Sequence, residues 1–202
     1  MTPDHLAVWR RVRERVAWRD AVPHLVTPVP ALRDGFADFA RGSPLLQAAY
    51  ADVRREAATS DLTLSLTSRW NRIGRGVTVA RFRAGPAFAK NGRERYGLDA
   101  GTERDFATCL AQATDPLVPV TARAARAYLD VAFFHPYDDG NARLAGMVLH
   151  FLLLRGGIEL DEVAPILRTV RRADDAEGAA DLARMVHGIA AATGRRWRRA
   201  HP

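Results

Sequence analysis

Residues 128–157 read YLDVAFFHPYDDGNARLAGMVLHFLLLRGG. The largely apolar run 128–134 precedes a polar segment, 135–143, and the pattern then predicts a strongly apolar helix over about 141–155. The glycine pair at 156–157 is typical of a helix C-terminus. This stretch decides the fold because it predicts two buried helices joined by a short polar loop.

The polar loop carries side chains suited to phosphate chemistry. Because the loop ends at a helix start, the free N–H groups and helix dipole favour an anion at Gly140 and Asn141. Arg143, one turn into the helix, can add a guanidinium to the same anion. Asp139 suits a divalent cation that bridges phosphates, and His135 can accept a proton from an attacking hydroxyl. These residue types together predict a phosphate-transfer site.

A polar loop with proline and glycine can also be an ordinary turn. A lone His-Pro or Asp-Gly-Asn would favour that interpretation. Residues 135–143 instead combine an imidazole, two carboxylates, an amide, a glycine and a guanidinium between two apolar helices. That combination favours a functional site over a simple turn.

The rest of the chain is dominated by helical spacing of apolar residues. Further helices are expected over Leu6–Trp18, after Ser43-Pro44, from Asp61 towards Trp70, from a Thr102/Asp105 capping pair, from Thr121, and over 161–168 and 179–193. The prolines between 23 and 30 indicate an extended connection. The only convincing β signal, near residues 76–98, predicts one short hairpin. The fold class is therefore mainly α with one β-hairpin, in a single domain over 1–202.

Composition excludes several classes of protein. The chain has a net charge of +7, and Cys109 is its only cysteine, so neither an internal disulfide nor a cysteine-based zinc finger can form. Its longest apolar run is too short to span a bilayer, and its N-terminus lacks the apolar core of a signal peptide. We therefore expect a cytoplasmic protein without a membrane segment. The basic tail 195–202 could bind nucleic acid, but a solvated terminus is the commoner case.

The polar segment resembles the signature of the Fic (filamentation induced by cyclic AMP) family, H-x-F-x-D/E-G-N-G/K-R. The matching residues are His135, Asp139, Gly140, Asn141 and Arg143. Tyr137 stands for the phenylalanine of the signature, and Ala142 for its glycine or lysine. The resemblance covers about residues 70–160 and includes the upstream hairpin. It implies a Fic-type helical bundle, with helices within 1–60 and 161–194 packed on that core.

The resemblance also implies an activity. Members of this family transfer a nucleotidyl group, most often AMP from ATP with Mg²⁺, to a Tyr, Thr or Ser hydroxyl of a target protein. By this resemblance His135 is the general base and Asp139 holds the metal. The nucleotide phosphates are bound by Gly140, Asn141, Ala142 and Arg143. The family's hairpin, called the flap, aligns the target segment by strand addition; the residues expected in that role are Val77, Thr78, Val79 and Phe82.

Three departures from the family pattern bear on this activity, and the first is Ala142 in place of the commoner glycine. Gly146 occupies the position where AMP-transferring members carry a second arginine for the terminal phosphates. The inhibitory S/T-x-x-x-E-G/N helix is also missing, because Ala173 precedes Glu177-Gly178 at the required spacing. The alternatives are a different nucleotide or a phosphocholine-type donor, a Doc-like phosphotransferase toxin, and a catalytically silent fold that binds a nucleotide or a partner. A separate antitoxin would be invisible in this sequence.

Overall fold

The computed structural model describes residues 3–202. Its helices and strands, in chain order, are α1 (His5–Arg15), α2 (Gly35–Phe39), α3 (Pro44–Glu56), α4 (Leu64–Arg75), β1 (Ala87–Ala89), β2 (Glu94–Tyr96), α5 (Thr102–Gln112), α6 (Val120–Phe134), α7 (Asn141–Arg155), α8 (Ala164–Arg168) and α9 (Ala176–Ala200). The prediction of a mainly α protein with one small antiparallel sheet is confirmed. Within the described residues, no helix is both long and apolar enough to cross a membrane.

The helices α6 and α7 form the centre of the bundle. Most residues of both helices are buried, as their composition predicts. Helices α1, α5 and α9 pack against α6, whereas α3 and α4 pack against α7. The loop 135–140 between the two central helices is therefore anchored at both ends in the core.

The hairpin is shorter than the predicted span 76–98. Strand β1 pairs antiparallel with β2, with Ala87 opposite Tyr96 and Ala89 opposite Glu94. The four residues expected to dock a target lie before it, in an irregular segment, so their assignment to a strand is wrong: Val77, Thr78, Val79 and Phe82. Backbone groups of this segment bond elsewhere: the carbonyl of Ala80 accepts from the Ser68 hydroxyl, and the N–H of Arg83 donates to the carbonyl of Pro136. These bonds compete with strand pairing.

Several predicted helix ends need correction. Helix α1 ends at Arg15, so the buried Trp18 lies beyond it. Helix α4 is capped by Thr63, whose Oγ1 accepts from the N–H of Leu66 at 3.2 Å, and Asp61 lies outside the helix. Helix α9 continues to Ala200, so most of the basic segment at the C-terminus is helical.

The capping box predicted from Thr102 and Asp105 is also wrong. Gly101 is the N-cap of α5, and Thr102 is already the first helical residue. The Thr102 hydroxyl bonds back to Asp99, accepting from its backbone N–H and donating to its carboxylate, both at 2.9 Å. A threonine engaged in the preceding turn cannot cap the helix.

Candidate functional site

His135 terminates α6 in a left-handed conformation, with a φ of 49°. Its N–H donates to the carbonyl of Val131 at 3.1 Å, which closes the last turn of the helix. In the imidazole, Nδ1 lies 3.4 Å from the carbonyl oxygen of Ala132. The side chain therefore engages the protein through Nδ1, and Nε2 is the nitrogen left for a ligand.

The hairpin covers the His135 ring. The ring of Tyr96 stacks on it, with 4.4 Å between ring centroids and 13° between the planes. The Tyr96 hydroxyl donates to Glu94 at 2.7 Å, and Glu94 also accepts from Lys90 at 2.7 Å. Burial is the main cause that lowers the pKa of His135. A neutral imidazole at neutral pH is the form that can accept a proton.

Arg83 ties the base of the hairpin to the end of α6, and the sequence analysis missed it. This buried guanidinium donates to the carbonyls of His135 at 2.9 Å, Phe134 at 3.2 Å and Gly85 at 2.6 Å, and to that of Gly97. The pKa of Arg83 is lowered by burial. The orphan carbonyls at a helix C-terminus favour such a cation. No sequence motif distinguishes Arg83 from the other arginines of the chain.

The side chain of Asn141 fixes the loop internally. Its Oδ1 accepts from the N–H of Tyr137 at 3.0 Å, and its Nδ2 donates to the carbonyl of the same residue at 2.6 Å. The buried Tyr137 hydroxyl lies 2.9 Å from Oγ1 of Thr67 on α4. The amide of Asn141 is thus engaged within the loop, and its backbone N–H is the group that remains for an anion.

The N-terminus of α7 requires a glycine at position 140. Gly140 has a φ of +81°, and a Cβ there would lie 2.9 Å from Nδ2 of Asn71 and 3.0 Å from Cδ of Arg75. Both conditions exclude a side chain. Ala142 is exposed on the first turn of the helix, where a methyl group meets no such obstacle.

Asp139 lies between two guanidinium groups. Its Oδ1 accepts from the N–H of Gly140 at 2.6 Å. Its Oδ2 lies 3.6 Å from Nη2 of Arg143 and 3.8 Å from Nε of Arg75. The carboxylate is nevertheless 70% exposed, and Arg143 is steadied by a 3.0 Å bond from Nη1 to the carbonyl of Gly74. Arg75, at the end of α4, was not predicted as a site residue.

Asp139 is the residue of this loop with donor atoms suited to a magnesium ion. Among residues 3–202, no group of three His, Cys, Asp or Glu side chains is placed to hold a metal. Magnesium in phosphate-transfer sites is commonly held by one or two carboxylates plus substrate phosphates. The exposed carboxylate of Asp139, beside the N-terminus of α7, fits that donor set.

The chain matches no protein-family model and no curated protein.

The predicted docking residues and the hairpin occupy different positions at the site. Val79 is exposed on the irregular segment, whereas Phe82 is half-buried, 6.2 Å from the ring of Phe106. On the hairpin itself, Arg95 of β2 forms a parallel β-bridge with Asp4, so the outer edge of β2 is partly covered. The free edge of the two-stranded sheet is therefore that of β1. Phe88 on β1 is 59% exposed. A strand added to this sheet would lie beside β1.

Gly146 has no space for a side chain. A Cβ at this position on α7 would lie 2.7 Å from the hydroxyl of Tyr50 and 3.1 Å from Cδ2 of Leu167. The position therefore faces a helix-packing contact. The second arginine of the family pattern would require the side chains of Tyr50 and Leu167 to move.

Proposed function

We propose that this protein is a Fic-type transferase that moves a nucleotidyl group, with AMP from ATP as the first candidate, to a hydroxyl side chain of a target protein. The observation that carries the proposal is that one loop, held at both ends, brings together a half-buried imidazole and a helix N-terminus suited to an anion. His135 closes α6, and Gly140 opens α7. Arg83 holds the first end of the loop and Asn141 the second.

In the proposed reaction, the backbone N–H groups at the start of α7 and the guanidinium of Arg143 bind the phosphates of the nucleotide. Asp139 would hold Mg²⁺ together with those phosphates, and the ion would neutralise charge on the leaving group. His135 takes the proton of the target hydroxyl, whose oxygen forms a bond to the α-phosphorus. The bond from that phosphorus to pyrophosphate breaks, and pyrophosphate leaves.

The target segment would bind along β1. Its backbone would pair with the free edge of that strand, which only β1 separates from β2 and from the Tyr96 ring stacked on His135. Phe88 offers an exposed apolar contact for one side chain of the target. Recognition through main-chain hydrogen bonds would then give affinity, and Phe88 would add selectivity.

A Doc-like phosphotransferase is the second candidate, and Gly146 favours it. The contact with Tyr50 and Leu167 leaves no room on α7 for the arginine that holds the terminal phosphates in the AMP-transferring pose. A nucleotide bound in the inverted pose would present its γ-phosphorus to the same hydroxyl, whose oxygen would bond to that phosphorus. The bond from the γ-phosphorus to the β–γ bridging oxygen would break, and the nucleoside diphosphate would leave. The same proton transfer to His135 would accompany that reaction.

One labelling experiment separates the candidates. The protein is incubated in cell lysate with Mg²⁺ and either α-³²P or γ-³²P ATP, with the other nucleotides in parallel. His135→Ala is compared with His24→Ala, which changes an exposed histidine away from the loop. Label from the α-position that is lost only in His135→Ala supports nucleotidyl transfer. Label from the γ-position alone supports phosphotransfer, and no His135-dependent label from any donor overturns both in favour of a fold that only binds.

A further inference from the structure

The carboxylate of Asp139 occupies the position where an anionic ligand would bind. It accepts from the first N–H of the α7 terminus, at Gly140, and lies within 4 Å of the guanidiniums of Arg75 and Arg143. Three groups that attract anions therefore converge on one side chain. Each of them is also a group that would bind a phosphate oxygen.

Each of the two arginines is held in place by a hydrogen bond to a different residue of α4. Arg143 reaches back from α7 to the carbonyl of Gly74. Arg75 donates from Nη1 to Oδ1 of Asn71 at 3.4 Å, and its aliphatic stem packs over Gly140. The side chain of Arg75 is only 23% exposed. Two guanidiniums held in this way form a cleft that lowers the entropic cost of binding a multiply charged anion.

We propose that Arg75 and Arg143 together bind the pyrophosphate portion of a nucleotide, and that Asp139 occupies their cleft as an internal anion when no ligand is bound. The inference rests on the proposed function for the identity of the ligand. A phosphate that enters the cleft displaces the Asp139 carboxylate from the guanidiniums. The released carboxylate, already largely exposed, is then available to a metal ion held with the phosphates.

Two consequences follow from like-charge repulsion between Asp139 and a bound phosphate. Without a metal ion, Asp139 opposes pyrophosphate binding, because two anions compete for the same guanidiniums. With Mg²⁺, the same carboxylate would support binding, because the cation would offset the repulsion between it and the phosphate. Asp139 thus couples metal binding to phosphate binding by changing from competitor to ligand.

The test is metal-free binding of inorganic pyrophosphate, measured by isothermal titration calorimetry in EDTA. We expect Asp139→Asn to bind about tenfold more tightly than the unchanged protein. Asp138→Asn is the matched control, because it removes the same charge from the neighbouring exposed residue; its effect should stay under about twofold. Equal affinities for the two variants would overturn the role of Asp139.

Arg75 is tested in the same assay. Adding Arg75→Gln to Asp139→Asn should weaken pyrophosphate binding about tenfold. Arg72→Gln is the control: Arg72 is exposed one turn earlier on α4, outside the cleft contacts. Equal effects of the Arg75 and Arg72 changes would overturn the two-guanidinium cleft. Thermal unfolding of each variant establishes that it folds.

Addition of Mg²⁺ provides a further readout that does not depend on transfer. Magnesium should tighten pyrophosphate binding to the unchanged protein and should have little effect on Asp139→Asn. If Asp139→Asn responds like the unchanged protein, the inference fails. The labelling experiment with His135→Ala has its own outcome, so failure of the cleft and failure of the transferase proposal are distinguishable.

Discussion

The imidazole of His135 lies face to face with the phenol ring of Tyr96, 4.4 Å away between ring centroids. His135 ends the central helix α6, and Tyr96 ends the second strand of the hairpin. The stack is thus a direct contact between the strand pair and the candidate general base. It excludes water from one face of the imidazole, and burial is the main cause of its lowered pKa.

Removing the Tyr96 ring should change the titration of His135. We expect Tyr96→Leu to hydrate the imidazole and to raise the pKa of His135 towards its ordinary value, because desolvation disfavours the charged form. The His135 ring would also lose its orientation, and transfer should slow about tenfold. Tyr96→Phe keeps the ring and should leave the pKa close to that of the unchanged protein. An NMR titration of the histidine ring protons measures both variants, and identical pKa values for Leu and Phe would contradict this role.

Arg83 should contribute more to stability than an exposed arginine of the same segment. Arg83→Met removes the donors to four backbone carbonyls near the loop, and we expect a loss of about 3 kcal/mol in the free energy of unfolding. Arg81→Met, two residues earlier at an exposed position, should change stability by less than about 0.5 kcal/mol. Denaturant unfolding of both variants makes the comparison. A similar loss of free energy of unfolding in both variants would mean that the four hydrogen bonds of Arg83 do not stabilise the fold.

Two helical glycines should respond in opposite directions to the same substitution. Gly146→Ala places a methyl group 2.7 Å from the hydroxyl of Tyr50, and we expect a cost of about 1–3 kcal/mol. Gly188 on α9 has open space around its Cβ position, so Gly188→Ala should stabilise the protein by about 1 kcal/mol through helix propensity. Thermal or denaturant unfolding measures both changes. If Gly146→Ala stabilises as much as Gly188→Ala, position 146 has room that the packing does not show.

The central helices could be predicted from sequence because their signals are local. The apolar composition of α7 and the glycine pair after it give both ends of that helix correctly, at Asn141 and Arg155. The polar loop 135–140 could be predicted for the same reason, since its residues are contiguous in the chain. Local spacing also placed Ser43-Pro44 at the start of α3.

The contacts that organise the site could not be predicted, because they join residues distant in sequence. Arg83 bonds to a carbonyl 52 residues away, and Asn71 to one 68 residues away. Neither partner carries a pattern that specifies the other. For the segment with Val77 and Val79 the sequence predicted a strand that does not form. Its β-branched residues favour a strand, but its hydrogen bonds go to α4: the N–H of Val77 donates to the carbonyl of Arg72, and the carbonyl of Ala80 accepts from Ser68.

His150 is a buried histidine in α7, and one of its ring nitrogens makes no hydrogen bond within the described residues. Its ring lies 4.1 Å from that of Phe36 and 5.7 Å from that of Tyr50, and its buried Nε2 has no hydrogen-bond partner among the residues the structure describes. Burial lowers the pKa of His150 to about 3, although the nearby carboxylate of Asp34 opposes the shift.

This burial should make the protein less stable as the pH falls. Below about pH 6.5 the unfolded chain protonates this histidine and the folded chain does not, so unfolding takes up a proton. The free energy of unfolding should then decrease by up to about 1.4 kcal/mol per pH unit from this group, from about pH 6.5 towards 3. The His150→Leu variant lacks this titrating imidazole. Its free energy of unfolding should therefore fall less steeply between about pH 6.5 and 5 than that of the unchanged protein. His135 and His187 titrate in both proteins and cancel in the difference, so parallel stability curves for the two proteins would show that His150 is protonated in the folded state.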